Sequence, residues 1–242
     1  MREVLRFSST LSSKTLIYIS TLATFFGARE RIACGEEKST AEFGADVVTG
    51  YAQTKWIAEK MALEHQIHGG DVLICHPGRL LGSLDIGRCP DNDLTIRLLS
   101  SIIETGLAPS LDWYIDFTPI DLCAKAMVNL ASNSKRGIYH FIHPHPISLS
   151  KIVKQLNSSG YSVRIVPYYL WKKKLMQSEF LRPLCSLFMD PVDGDINGGL
   201  SLFETLLATT TFRTSSYEIR RLKAEVTRKD LLQFPTSSKL PS

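Results

Sequence analysis

No glycine-rich turn of the G-x-G-x-x-G or G-x-x-G-x-x-G kind occurs in these 242 residues, although 15 of them are glycine. Such a turn lets backbone N–H groups and a helix N-terminus meet a pyrophosphate. Without it, this stretch supplies no cradle of that type. Nor does any apolar run approach the roughly 18 residues of a membrane helix. The short stretch Leu16–Tyr18, flanked by serine and lysine, lacks the layout of a signal peptide. The five cysteines, Cys34, Cys75, Cys89, Cys123 and Cys185, are odd in number and form no C-x-x-C pair. That usage predicts a reduced, cytoplasmic chain, with Cys75 and Cys123 as buried apolar residues. Six histidines offer no H-x-x-x-H pair and no Cys/His ligand spacing, so no metal site is expected. Charge of one sign is also scarce: 28 Lys and Arg against 24 Asp and Glu leave a net +4. Without basic stripes interleaved with aromatics, that balance argues against nucleic acid. The tight basic run Lys172-Lys173-Lys174 reads as a solvated helix face or, alternatively, as a docking patch for an acidic carrier protein.

What remains is the composition of an ordinary globular protein, 44% hydrophobic and 21% charged. One constellation in it carries chemistry. Tyr51 and Lys55 lie four apart, one turn from each other on one face of a helix. There an ammonium can favour ionisation of a phenol whose ordinary pKa, near 10, is too high for proton transfer at neutral pH. Upstream, Ser20 and Thr21 end a strand, and a hydroxyl there can hold a carbonyl oxygen. The set fits proton donation to a carbonyl, given a source of hydride. Taken alone, the pair also fits a packed tyrosine and a solvated lysine; the flanking motifs favour chemistry.

Those motifs run in order: Leu16-Ile-Tyr-Ile-Ser-Thr21, Gly50-Tyr-Ala-Gln-Thr-Lys-Trp-Ile-Ala-Glu59 and His76-Pro-Gly-Arg-Leu-Leu-Gly82. Asp116-Phe-Thr-Pro-Ile-Asp121 and Ile138-Tyr-His-Phe141 follow, leading into Ile147-Ser-Leu-Ser150. The series resembles the extended short-chain dehydrogenase/reductases. Within them it is most similar to the thioester reductase domains of nonribosomal peptide synthetases, aminoadipate reductases and carboxylic acid reductases. The resemblance implies an α/β fold, a Rossmann-like parallel sheet with a C-terminal α-rich substrate lobe. Residues 1–145 would form the C-terminal half of the NAD(P)-binding domain, and residues 146–242 the lobe. Because Met1-Arg-Glu-Val-Leu-Arg-Phe7 resembles the helix before the Ser/Thr strand, the domain is expected to be N-terminally truncated, with the Thr15–Ser20 strand as an exposed edge.

The implied activity is NADPH-dependent reduction of an acyl thioester to an aldehyde or, after a second hydride, an alcohol. The implied partners are an acyl or peptidyl carrier domain with its phosphopantetheine arm, and the N-terminal half itself; no nucleic acid or membrane is implied. Carried over residue by residue, Tyr51 is the proton donor, Lys55 lowers its pKa and bonds the nicotinamide ribose, and Thr21 orients the substrate oxygen with Ser20 as fallback. Ser20, Pro77, Gly78 and Arg79 are expected beside the cofactor. His76 departs from the arginine usual in relatives and reads as a hydrogen-bonded strand-end residue. Asp93 and Trp113 are candidates to line a pantetheine channel. Alternative readings are a fatty acyl-CoA reductase, a sugar-nucleotide epimerase or dehydratase, and a cofactor-free remnant or binding module.

Local patterns predict helices ending near residue 10 and over 50–67, 93–105, 121–131 with Asp121 as its N-cap, 148–156 and around Trp171. Strands are predicted over 15–20, 71–75, 115–118, 137–142 and 162–166. A loop over 35–46 and further helices near 198–208 and 215–233 complete the reading.

Overall fold

The computed structural model describes residues 1–10, 14–25, 50–111, 113–133, 136–143 and 146–178. The loop read over 35–46 and the helices read near 198–208 and 215–233 lie outside them. The first half runs α1 (Arg2–Ser9), β1 (Leu16–Ile19), a 3-10 turn (Leu22–Phe25), α2 (Gly50–Ile67), β2 (Val72–Pro77) and β3 (Leu80–Leu81). Then come α3 (Leu94–Thr105), β4 (Leu107–Pro109), β5 (Tyr114–Ile115), β6 (Thr118–Pro119), α4 (Ile120–Ser132) and β7 (Gly137–Phe141). The described chain closes with β8 (Ile147–Ser148), α5 (Leu149–Ser158), β9 (Arg164–Val166) and α6 (Tyr168–Leu175).

The α/β class holds. β1, β2 and β7 form a parallel sheet in the order β1-β2-β7, with Ile17 opposite Leu73 and His76 opposite His140. All six residues of β2 are buried, as expected of a central strand covered on both faces. Alternation sorts them. Val72 and Ile74 join Leu16 and Ala62 of α2, with Met1 and Leu5 of α1 packed alongside. Leu73 and Cys75 join Cys123, Ala126 and Leu130 of α4. Each such aliphatic side chain stabilises the fold by about 1.5–3 kcal/mol relative to its exposed state. Burial pushes the Cys75 and Cys123 thiols up to about 12, which suits packing rather than reactivity.

A third cluster gathers α3, α5 and α6 around Leu98, Ile102, Ile115, Ile152, Leu156 and Trp171. It draws on segments both before and after residue 145. α3 begins where Asp93 accepts bonds from the N–H groups of Thr95 and Ile96, and ends at Gly106, whose φ of 65° suits a residue without Cβ. On α6, Trp171 and Leu175 face inward while Lys173 and Lys174 are exposed, so this stretch reads as a solvated face.

Three local expectations need correction. Asp121 is not the cap of α4: the N-cap is Pro119, and the Asp121 carboxylate instead accepts from the Leu84 N–H at 3.3 Å. The segment read as one strand over 115–118 splits, because β5 pairs antiparallel with β8 while β6 pairs parallel with β3. Finally, β2 runs past Cys75 through Pro77, carrying His76 into the interior.

Candidate active site

Open parallel sheets bind ligands at the carboxyl ends of their strands, and there the sequence-predicted residues meet. Tyr51, Lys55 and Glu59 occupy i, i+4 and i+8 of α2, a single stripe along the helix. Down that stripe the surroundings pass from solvent to interior. Tyr51 is 60% exposed, Lys55 half-buried and Glu59 fully buried.

Lys55 Nζ donates to the Ile19 carbonyl at 2.8 Å and sits 5.7 Å from the centre of the Tyr18 ring. In return, the Tyr18 hydroxyl donates to the Lys55 carbonyl at 3.1 Å. Helix and strand therefore grip each other in both directions, and the aromatic face adds cation–π attraction. Burial, then the charges of Glu59 and Tyr51, push the Tyr18 phenol up to about 12, so it stays protonated and keeps donating. The ammonium has three donors, and one is committed to Ile19.

Ser20 and Thr21 divide the work of the strand end. Ser20 is buried, and its hydroxyl donates to Glu59 Oε2 at 2.6 Å. Thr21 is half-buried; its Oγ1 accepts from the Ala23 N–H at 3.2 Å, which leaves its own proton to donate.

His76 Nε2 lies 2.8 Å from the same Glu59 oxygen, with both side chains fully enclosed. Its expected hydrogen-bonded role holds. Next to it, the His140 ring stands edge-on at 5.1 Å between centroids. Burial, then His76, push His140 down to about 3, which keeps it neutral.

The Pro77-Gly78-Arg79 segment leaves β2 at its carboxyl end. The Gly78 N–H donates to the Phe141 carbonyl at 2.9 Å. A Cβ on Gly78 would run into Asp116 Oδ2, so the close approach that this glycine permits is to a carboxylate of the protein itself. Arg79 places its guanidinium 5.9 Å from the centre of the Trp113 ring. Trp113 is buried in the lobe cluster, and the Asp93 side chain caps α3.

With this geometry in view, comparison with known proteins is informative. Residues 1–127 match the model of an NAD-binding family described as "Male sterility protein", more than half of the chain. The chain belongs to that family. A linear gramicidin synthase of Brevibacillus parabrevis is 26% identical over 250 residues, covering 98% of this chain and 5% of that protein. L-2-aminoadipate reductase of Schizosaccharomyces pombe is 26% identical over 129 residues, covering 52% of this chain and 9% of that protein. Among solved structures, the terminal R domain from the myxalamid PKS-NRPS biosynthetic pathway is 31% identical with a TM-score of 0.72. That match covers 86% of this chain and 55% of that one. The reductase (R) domain of a nonribosomal peptide synthetase from Mycobacterium tuberculosis shares the fold at 21% identity and a TM-score of 0.66, over 98% of this chain and 60% of that one. The chain thus spans a small part of the curated relatives and about half of these domains. The resemblance to extended short-chain dehydrogenase/reductases of the thioester reductase type is borne out, and with it the Rossmann-like fold.

For an NAD-binding family member, the residues present suit one end of the cofactor. The Tyr51–Lys55 rim, with ammonium donors to spare, fits a nicotinamide ribose. No glycine-rich turn in the sequence fits the pyrophosphate. Among the described residues, no group of three or more His, Cys, Asp or Glu could hold a metal ion, and no helix is long and apolar enough to cross a membrane. Sequence reasoning missed Tyr18 and Glu59 as partners of the site. The signal for Glu59 was available, because it extends the Tyr51–Lys55 spacing by one more turn.

Proposed function

We propose that this chain carries the proton-donating half of a reductase that releases carrier-bound acyl thioesters as aldehydes, with NADPH as reductant. The observation that carries the reading is the bond from Lys55 to the Ile19 carbonyl, which sets the Tyr51–Lys55 face of α2 against the end of β1 that leads into Thr21, in a chain similar to named reductases. Thr21 donates its free hydroxyl proton to the thioester carbonyl oxygen and orients it. Lys55, anchored on Ile19, turns its remaining N–H groups toward the ribose hydroxyls. NADPH held there would supply the hydride that the carbonyl carbon accepts. Tyr51 gives its proton to the oxygen as that charge develops, and the resulting hemithioacetal collapses to aldehyde and free pantetheine thiol. A second round at the aldehyde yields an alcohol. Ser20, Pro77, Gly78 and Arg79 act behind this rim, as supports of the strand ends.

The carrier domain and its phosphopantetheine arm are the partners that this chemistry requires. The test uses the native protein that carries this chain, NADPH, and an octanoyl-loaded carrier domain. NADPH oxidation should match the aldehyde plus twice the alcohol formed, and Tyr51→Phe should slow it by roughly 10²–10⁴-fold, the usual worth of a general acid, while leaving NADPH affinity nearly intact. Undiminished turnover in Tyr51→Phe rejects the assigned donor. The absent glycine-rich turn supports one competing reading, a binding module without cofactor; a well-folded native protein with no NADPH binding would establish it.

A further inference from the structure

We propose that Glu59 is a positioning residue, whose carboxylate indexes the catalytic stripe of α2 against the ends of β1 and β2 at once. The inference rests on the reading of Tyr51, Lys55 and Thr21 given above. One oxygen, Glu59 Oε2, takes the Ser20 hydroxyl at 2.6 Å and lies 2.8 Å from His76 Nε2. Ser20 immediately precedes Thr21, and its own N–H donates to the Cys75 carbonyl at 2.8 Å. His76 sits beside Pro77, where β2 ends. Glu59 itself stands one turn below Lys55 and two below Tyr51. A single atom therefore ties together the three segments that bear the site.

Enclosure makes this tie rigid. Glu59, His76 and His140 are fully buried and Ser20 nearly so. A buried carboxyl group is costly to leave without its bonds, so rotation of α2 or slippage of β1 is opposed by the cost of stranding polar atoms at Glu59, Ser20 and His76. His140, held neutral beside His76, adds no competing charge. Plain helix packing needs no such cluster: Ala62, Val72 and Ile74 already hold α2 on the sheet. The polar tie lies instead at the end of the layer where Tyr51 and Lys55 emerge.

The test is a pair of double-mutant cycles in the native protein, Glu59→Gln and Ser20→Ala, each combined with Tyr51→Phe. NADPH and octanal are the probes. Glu59→Gln should lower kcat about 10²-fold, the scale of a roughly 1 Å misplacement, and Ser20→Ala about tenfold, with KM for octanal within about threefold. In the Tyr51→Phe background each factor should shrink at least about threefold, because the proton donor is already absent and only Lys55 and Thr21 remain to be misplaced. Equal factors in both backgrounds overturn the proposal, since lost folding lowers both alike. Hydrogen exchange supplies a readout free of turnover. The Ala23 N–H, bonded to Thr21 Oγ1, should exchange at least about tenfold faster in both variants while α5 keeps its rates; unchanged exchange at Ala23 overturns the proposal too. Should Glu59→Gln fail to fold, Ser20→Ala, which deletes one hydroxyl, decides alone. If Tyr51→Phe proves as active as the parent, the reading of the reaction fails, and exchange still decides the tie.

Discussion

Replacing Asp116 by asparagine should change how stability depends on pH. Asp116 follows β5; its Oδ1 accepts from the His143 N–H at 2.6 Å and from the Thr118 hydroxyl at 3.1 Å, and its Oδ2 is shut off from solvent against Gly78. Burial pushes its pKa from 3.8 to about 7, a rise opposed by these bonds and by Arg79. The folded protein then holds this proton more tightly than the unfolded chain does. Between about pH 4 and about pH 7 the folded state binds more protons, so stability is highest at the acid end and falls as pH rises. A rise of about 3 units is worth about 4 kcal/mol at most. Because the residue is partly exposed, screening brings the expected loss nearer 2 kcal/mol. The asparagine amide cannot ionise, so Asp116→Asn should lack this component. Urea midpoints of both proteins, taken from about pH 4 to about pH 8 at fixed ionic strength, give the comparison. The variant should gain on the parent by about 2 kcal/mol across that range and level off above about pH 7. A constant difference, or a parent that gains with rising pH, would refute the reasoning.

Other consequences follow from the same contacts. Gly78→Ala drives a methyl into the Asp116 carboxylate and should destabilise the fold by about 1–3 kcal/mol in urea denaturation; no change would show that the turn has room to move. Trp171→Ala opens a cavity in the lobe cluster and should cost about 3–5 kcal/mol, read from the same denaturation curves. Lys55→Met keeps the apolar stem but loses the bond to Ile19 and the donors for ribose. Turnover should fall at least roughly 10²-fold, with weaker NADPH binding by fluorescence titration; unaltered NADPH affinity would remove Lys55 from the cofactor side.

Much of this was legible in the chain. The order strand, helix, strand over Leu16–Ile19, the 50–67 helix and Val72–Pro77 announced a parallel sheet, because strands joined through a helix crossover run in the same direction. Tyr51 and Lys55 were found by spacing, and both end at the rim. Harder to see were contacts fixed by tertiary geometry. Asp121 has the residue type of a cap, yet its carboxylate turns to Leu84, a partner distant in sequence. Gly78 reads as a place for a ligand, while the space beside it belongs to Asp116. His76 and Glu59, 17 residues apart, meet only because β2 lies beneath α2. Local pattern carries no record of such meetings. The separate tasks of Ser20 and Thr21, one inward and one at the rim, likewise depend on which oxygen each faces in the fold.

The most direct test of the account is isotopic. Native protein is given an octanoyl-loaded carrier domain and NADPH deuterated at the transferring position, and the products are read by mass spectrometry. The account predicts octanal carrying one deuterium at the aldehyde carbon, or octanol carrying two at the same carbon, with the NADPH oxidised equal to the aldehyde plus twice the alcohol, and a strongly reduced yield from Tyr51→Phe. Octanoic acid without deuterium, or an unaltered thioester in the presence of bound NADPH, would contradict it.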